Sequence, residues 1–145
     1  MPKIGVRLLA AFESAGEFLA DAQSLESAGA DLLLLDEGGD LDREMLLAAI
    51  AAVTTRVSLH HPEPRETLRR LARGRLVTEL EGWRDVPFPA DRTAWRATLA
   101  AAEEASSVGV IVAMDPRLLD LLRNPDVEDE SIDRPPARTG MSVEQ

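Results

Sequence analysis

Two adjacent histidines are the residues of this sequence best suited to move a proton. His60 ends a short apolar run, and His61 follows it directly. Because an imidazole ionises near neutral pH, either residue could serve as a catalytic acid or base. A solvent-facing loop histidine is an equally good interpretation. No metal site is predicted, because the chain has 2 histidines and neighbours on an extended backbone point in opposite directions.

A second set of polar residues is predicted to share one face of a sheet. Alternation along the predicted strands places these side chains opposite the apolar ones: Arg7, Ser58, His60, Glu79 and Glu81. They would converge near the carboxyl ends of the strands, where α/β folds place their ligand sites. The alternative is a buried ion network, in which Arg7 pairs with Glu79 and Glu81 and only fills the interior.

An aromatic residue and an acidic segment follow two of the predicted strands. Trp83, after Gly82 at the carboxyl end of the fourth strand, could stack on a small planar ligand, whereas Trp95 on a helix is expected in the core. Residues 36–40 end the second strand and are acidic. Paired carboxylates there could bind a cation, but an ordinary acidic turn is the favoured interpretation.

Alternating strand and helix patterns predict five βα units over residues 1–124. Short apolar runs indicate strands, and apolar residues at helical spacing indicate helices, with Ser14 and Gly29 bounding the first helix. The predicted strands cover residues 3–9, 31–36, 56–60, 75–81 and 108–114, and the predicted helices cover 17–28, 42–53, 62–71, 91–105 and a last segment from 115. Residues 125–145 lack periodicity and are expected to form a mobile tail or a strap across a partner.

This alternation predicts an α/β fold with a parallel sheet and right-handed crossovers. A closed barrel of eight such units needs at least about 200 residues, and the chain has 145. We therefore expect a truncated TIM-barrel-like domain, with an open doubly wound sheet as the alternative. Bare edge strands are a liability, so a second copy is expected to cover them in a homodimer.

Composition excludes several classes of function. A formal net charge of −10 disfavours nucleic acid and anionic membrane surfaces as partners. With 0 cysteines, the chain has no disulfides and no thiolate chemistry, so redox work would need a bound cofactor. The sequence has neither a signal-peptide pattern nor an apolar run long enough to cross a membrane, which predicts a cytoplasmic location.

Several segments together resemble the luciferase-like superfamily of flavin- and deazaflavin-dependent oxidoreductases. The most specific is the run 46–57, which is similar to the second helix and third strand of that family. The other similar segments, in the same order as in the family, are 3–8, 25–37, 61–62, 68–71, 74–77, 82–83 and 99–115. The resemblance implies a (β/α)8 ancestry with the middle of the barrel deleted. It also implies a dimer and FMN or deazaflavin at the strand carboxyl ends.

For function, the resemblance implies an oxidoreductase or monooxygenase whose flavin binding is weakened or altered. The family often has glycines where this chain has Glu79 and Glu81, and the segments that hold the cofactor phosphate have no counterpart here. His60 or His61 would handle the proton. The residues expected around the cofactor are Arg7, Ser58, Glu79, Glu81, Gly82 and Trp83. The alternative is a non-catalytic dimeric binding or assembly module on the same fold.

Overall fold

Six parallel strands form one sheet in the computed structural model, which describes residues 1–127. The elements are β1 (Lys3–Leu8), α1 (Ala15–Ala28), β2 (Leu32–Leu35), α2 (Arg43–Val53), β3 (Ser58–His60), α3 (Glu66–Ala72), β4 (Leu76–Val77), β5 (Trp83–Asp85), α4 (Arg92–Glu104), β6 (Gly109–Ala113) and α5 (Leu118–Arg123). The strand order is β4-β3-β2-β1-β6-β5. The last strand along the chain, β6, thus pairs with the first, β1, as in a barrel whose middle strands have been removed. Most of the tail predicted for 125–145 lies outside the described residues.

All five helices pack against one face of the sheet. Strand residues such as Val6, Leu33 and Val110 are buried on that face with helix residues such as Leu25 and Trp95. Within residues 1–127, no helix residue belongs to the apolar cluster on the opposite, concave face. Helices on one face are typical of a barrel wall, whereas a doubly wound sheet has them on both. The truncated barrel-like prediction is confirmed, and so is the core position of Trp95.

Side-chain caps place three helices close to their predicted bounds. The side chains of Ser14, Asp42 and Asp91 accept hydrogen bonds from N–H groups in the first turns of α1, α2 and α4. Gly29 ends α1 with a φ of 109°, a left-handed conformation that glycine adopts without strain. Helices α3 and α5 begin later than predicted, and neither has a side-chain hydrogen bond capping its start.

The fourth strand is much shorter than the predicted segment 75–81. It pairs with β3 over Leu76–Val77, and the chain then leaves the sheet. Gly82, with a φ of 88°, sits in a β-turn closed by a 3.0 Å hydrogen bond from the N–H of Trp83 to the carbonyl of Leu80. Trp83 therefore begins an additional strand, β5, at the other edge of the sheet.

The link between the two edge strands covers the concave face. It consists of residues 78–82, the crossing segment, and joins the carboxyl end of β4 to the amino end of β5. Along it, Leu80 turns towards the sheet, and Trp83 follows at the start of β5. The strand residues buried beneath these two side chains are Leu32, Leu34 and Ile111. The concave face thus has an apolar core of its own.

The length of the crossing segment requires the sheet to curl. From Val77 to Trp83 the chain can span about 20 Å at most. Five inter-strand spacings of about 4.8 Å would put the edges of a flat sheet roughly 24 Å apart. The link also has to descend from the carboxyl end of one strand to the amino end of the other. Because the chain is too short for a flat sheet, the edges approach each other and the sheet becomes a half-barrel.

Glu26 holds the loop that leads into β3 and so positions the two histidines. One carboxylate oxygen accepts hydrogen bonds from the backbone N–H groups of Thr55, at 3.0 Å, of Arg56, and of Val57, at 2.8 Å. The Arg56 guanidinium donates in turn to the Glu26 carbonyl at 2.6 Å. Burial raises the pKa of Glu26, but the bonds from Val57, Arg56 and Thr55 outweigh it and hold the pKa below its usual value.

We expect Glu26→Ala to lower the free energy of unfolding by about 2 kcal/mol, because backbone N–H groups lose a charged acceptor. The matched control is Glu104→Ala, on the exposed end of α4, which should change stability by less than about 0.5 kcal/mol. Urea unfolding of both variants checks this. Equal midpoints for the two variants would show that Glu26 does not hold the loop.

Candidate functional site

The carboxyl ends of the strands bring Arg7, His60 and His61 to the same edge of the sheet. Arg7 lies near the end of β1, His60 ends β3, and His61 follows it. Arg43 lies at the same edge, because it is the first residue of α2, the helix that follows the loop after β2. The positive charges of the other three residues all act on the His60 ring. We call these four residues the edge cluster.

The pKa of His60 lies below its usual value. Burial of the ring is the largest cause, followed by the positive charges of His61, Arg43 and Arg7. A hydrogen bond with the backbone of Thr78 acts in the opposite direction and is outweighed. The imidazole is therefore uncharged at neutral pH, which leaves it able to accept a proton.

His61 is held by a hydrogen bond on one side of its ring and faces a carboxylate on the other. Its Nδ1 accepts the N–H of Glu63 at 3.1 Å, so in the neutral ring the proton is on Nε2. That atom lies 3.9 Å from Oε1 of Glu44, which also binds Nε of Arg65 at 3.0 Å. The hydrogen bond from the Arg65 backbone is the largest of the causes that lower the pKa of Glu44. A fixed carboxylate beside an oriented imidazole is typical of an acid/base pair.

Arg7 pairs with a residue outside the predicted set. Its Nη2 lies 2.6 Å from Oδ1 of Asp85 on β5, and the pair spans β6, where Ala113 is the register partner of Arg7. The Asp85 side chain is 72% exposed, so the ion pair contributes little stability and a ligand could replace Asp85. The alternative ion network with Glu79 and Glu81 is wrong, because both glutamates are exposed.

Three other predicted residues lie away from the edge cluster. Ser58 is the first residue of β3 and so lies towards the amino end of that strand. Glu79 and Glu81 belong to the crossing segment and point to solvent, because Leu80, which alternates with them, takes the side that faces the sheet. The prediction that the two glutamates face the interior is wrong for this reason.

Trp83 fills the concave face, and it does not stand at the carboxyl end of β4 as predicted. A Cβ placed on Gly5 would lie 3.3 Å from Cζ3 of Trp83, and a Cβ on Gly109 would lie 2.6 Å from the same atom. The indole therefore rests on two glycines. Gly82 allows the turn before it, and a Cβ at that position would come within 2.6 Å of Cγ2 of Val108.

The residues of the concave face do not fit the ring of a flavin or deazaflavin. Leu80 and Trp83 close the centre of this face, and beneath them Leu32 is 0% and Ile111 2% exposed. A tricyclic ring would have to displace the crossing segment and break this apolar packing. The obstruction comes from Leu80 and Trp83 and not from Glu79 and Glu81, which are exposed.

Arg43, Glu44 and Asp85 are site residues that pattern reasoning missed. Arg43 and Glu44 occupy the first turn of the helix that follows β2. In α/β folds such first turns adjoin the carboxyl ends of the strands, and this position was the available signal. Asp85 carried no signal, because β5 was not predicted as a strand.

No protein-family model matches this chain, and no curated protein matches it either. In the described part of the chain, no group of three or more His, Cys, Asp or Glu side chains is arranged to hold a metal ion. Among residues 1–127, the helices are too short or too polar to cross a membrane.

The lowered pKa of His60 has a consequence for stability. Between its folded pKa and the unfolded value of about 6.5, the unfolded chain binds more protons than the folded one, so stability falls as pH decreases through this window. His60→Gln should remove this part of the pH dependence. Urea unfolding of wild type and variant at several pH values from about 7.5 down to about 5, a range that includes the unfolded pKa of about 6.5, measures it. Parallel curves over this range would contradict the assigned environment of His60.

Proposed function

We propose that this chain binds a small anionic molecule at the edge cluster, with the uncharged His60 beside it as a proton acceptor. The observation that carries the proposal is Arg43, which is partly buried and has no hydrogen bond or ion pair with any residue of 1–127. A partly buried guanidinium without a partner has lost some of its hydrogen bonds to water and has gained none from the protein in return. A carboxylate or phosphate would supply that compensation through charge-assisted hydrogen bonds.

The electrostatics of the chain favour this position for an anion. The protein carries a net charge of −10, so most of its surface repels anions, and the edge cluster is a local exception. Arg7 adds a second guanidinium, since its partner Asp85 is largely exposed and replaceable. Two cationic anchors beside a neutral imidazole suit a small substrate that loses a proton while its anionic group is held.

Inorganic phosphate is a direct probe of the edge cluster. We expect phosphate to raise the pKa of His60, measured from the imidazole chemical shifts in an NMR titration, because a bound anion stabilises the protonated ring. Arg43→Gln should weaken phosphate binding by about tenfold, which corresponds to the loss of one charge-assisted contact.

The matched control is Arg69→Gln, which removes the same charge from the exposed face of α3. It should leave the phosphate titration unchanged. If phosphate affects His60 equally in the Arg43 and Arg69 variants, the attraction is a general effect of charge and the proposed site is wrong.

A flavin- or deazaflavin-dependent oxidoreductase of the luciferase-like superfamily is a second proposal. It is supported by the sequence resemblance and by the two glycines under Trp83, Gly5 and Gly109. These glycines would accept a small planar ligand if the crossing segment moved away from the sheet. This proposal therefore requires an open conformation of the half-barrel, which the anion-binding proposal does not.

A non-catalytic homodimeric assembly module is the remaining proposal. It is supported by the outer edges of β4 and β5, neither of which pairs with a further strand within residues 1–127. The sequence has 0 cysteines, which supports a cytoplasmic location under each of the three proposals.

Native mass spectrometry with an absorbance spectrum separates the last two proposals. A dimer without chromophore favours the assembly module, and one flavin per chain favours the oxidoreductase.

A further inference from the structure

Three exposed apolar side chains lie in the loops that follow β1 and β2, at the carboxyl edge of the sheet. Leu9 is 54%, Phe12 38% and Leu41 38% exposed. Two grooves, of about 330 and 390 Å³, meet at Ala11, which lines both of them. We call Leu9, Ala11, Phe12 and Leu41 the rim patch. Contiguous apolar surface on a soluble protein commonly marks an interaction site.

The two loops that carry the rim patch are locked together. A Cβ on Gly39 would lie 2.2 Å from the carbonyl oxygen of Ala10, so only glycine permits this close approach of the backbones. The N–H of Leu41 donates to the same carbonyl at 3.1 Å. The ring of Phe12 lies 5.1 Å from that of Phe18 on α1. A patch fixed in this way loses little conformational entropy when a partner binds.

Acidic side chains surround the rim patch. Glu13 and Asp40 line one groove, and Asp21 and Asp36 line the other. Among residues 1–127, Arg7 is the one cation lining these two grooves, and it is paired with Asp85. An apolar surface with an acidic border complements a partner that presents apolar side chains flanked by basic ones. A second copy of this chain would bring the same acidic border and the same net charge of −10, and would be repelled.

We propose that the rim patch docks a basic amphipathic segment of another protein, whose large apolar side chains enter the two grooves while Lys or Arg side chains face the acidic border. This interaction surface shares Arg7 with the edge cluster, whereas Arg43, His60 and His61 line neither groove. A variant of Arg43 therefore distinguishes peptide binding from anion binding.

A short fluorescein-labelled helical peptide made of Leu, Ala and Arg, with the apolar residues on one face, is the probe. We expect it to bind the full chain in a fluorescence anisotropy titration. Phe12→Ser combined with Leu41→Ser should weaken binding by about tenfold or more, because the apolar anchors are lost. The control Met45→Ser removes a side chain that is 69% exposed on α2, away from the patch, and should leave binding unchanged.

A second pair of variants tests the acidic border without touching apolar packing. Asp36→Asn combined with Asp40→Asn should weaken binding and reduce its salt dependence, whereas Glu103→Gln combined with Glu104→Gln, on exposed positions of α4, should do neither. Arg43→Gln should leave peptide binding intact, which separates this surface from the edge cluster.

Three outcomes would overturn the docking proposal. One is equal weakening by the acidic-border variant and by its Glu103→Gln, Glu104→Gln control, which indicates general charge attraction. Another is equal binding of a peptide with Glu in place of Arg. The third is a wild-type dimer in sedimentation that Phe12→Ser with Leu41→Ser dissociates, which assigns the patch to a second copy of this chain.

Discussion

A parallel sheet that carries all its helices on one face must cover its other face by some other means. In a closed barrel the remaining strands do so by completing the ring. Here the crossing segment, residues 78–82, and the first residue of β5 do so, because Leu80 and Trp83 bury the apolar centre of the concave face. Because this link is shorter than the width of a flat sheet, it also sets the curl. Both faces of the half-barrel are thus covered by residues of one chain.

This constraint decides where a ligand can bind. With the barrel centre filled, the chemistry-bearing side chains are restricted to the carboxyl edge, outside the apolar core. The crossing segment takes part in the site, since Thr78 at its start forms a hydrogen bond with His60 through its backbone. Glu26 on α1 holds the loop that leads into β3, and Glu44 on α2 lies beside the ring of His61. Burial and the neighbouring positive charges keep the His60 imidazole neutral, and beside it lies Arg43, which has no hydrogen bond or ion pair with another residue of 1–127.

Much of the half-barrel could be predicted from local patterns, and the closure of its concave face could not. Ser14 caps α1 as predicted, and alternation correctly assigns Val6 and Arg7 to opposite faces, because caps and strand periodicity act over a few residues. Leu80 alternates with its acidic neighbours as a strand residue would. The distance between the two sheet edges, which no local pattern contains, decides that this segment leaves the sheet. Asp85 was missed for the same reason, because its position depends on the strand that follows the crossing.

Methyl NOE spectroscopy of the wild-type chain tests closure of the concave face most directly. If Leu80 lies on the sheet, its methyl groups should show cross-peaks to those of Leu32, Leu34 or Ile111, and a soluble paramagnetic agent should broaden them little. Leu80 methyl signals without these cross-peaks, and strongly broadened by the agent, would show that the concave face is open and would contradict the account.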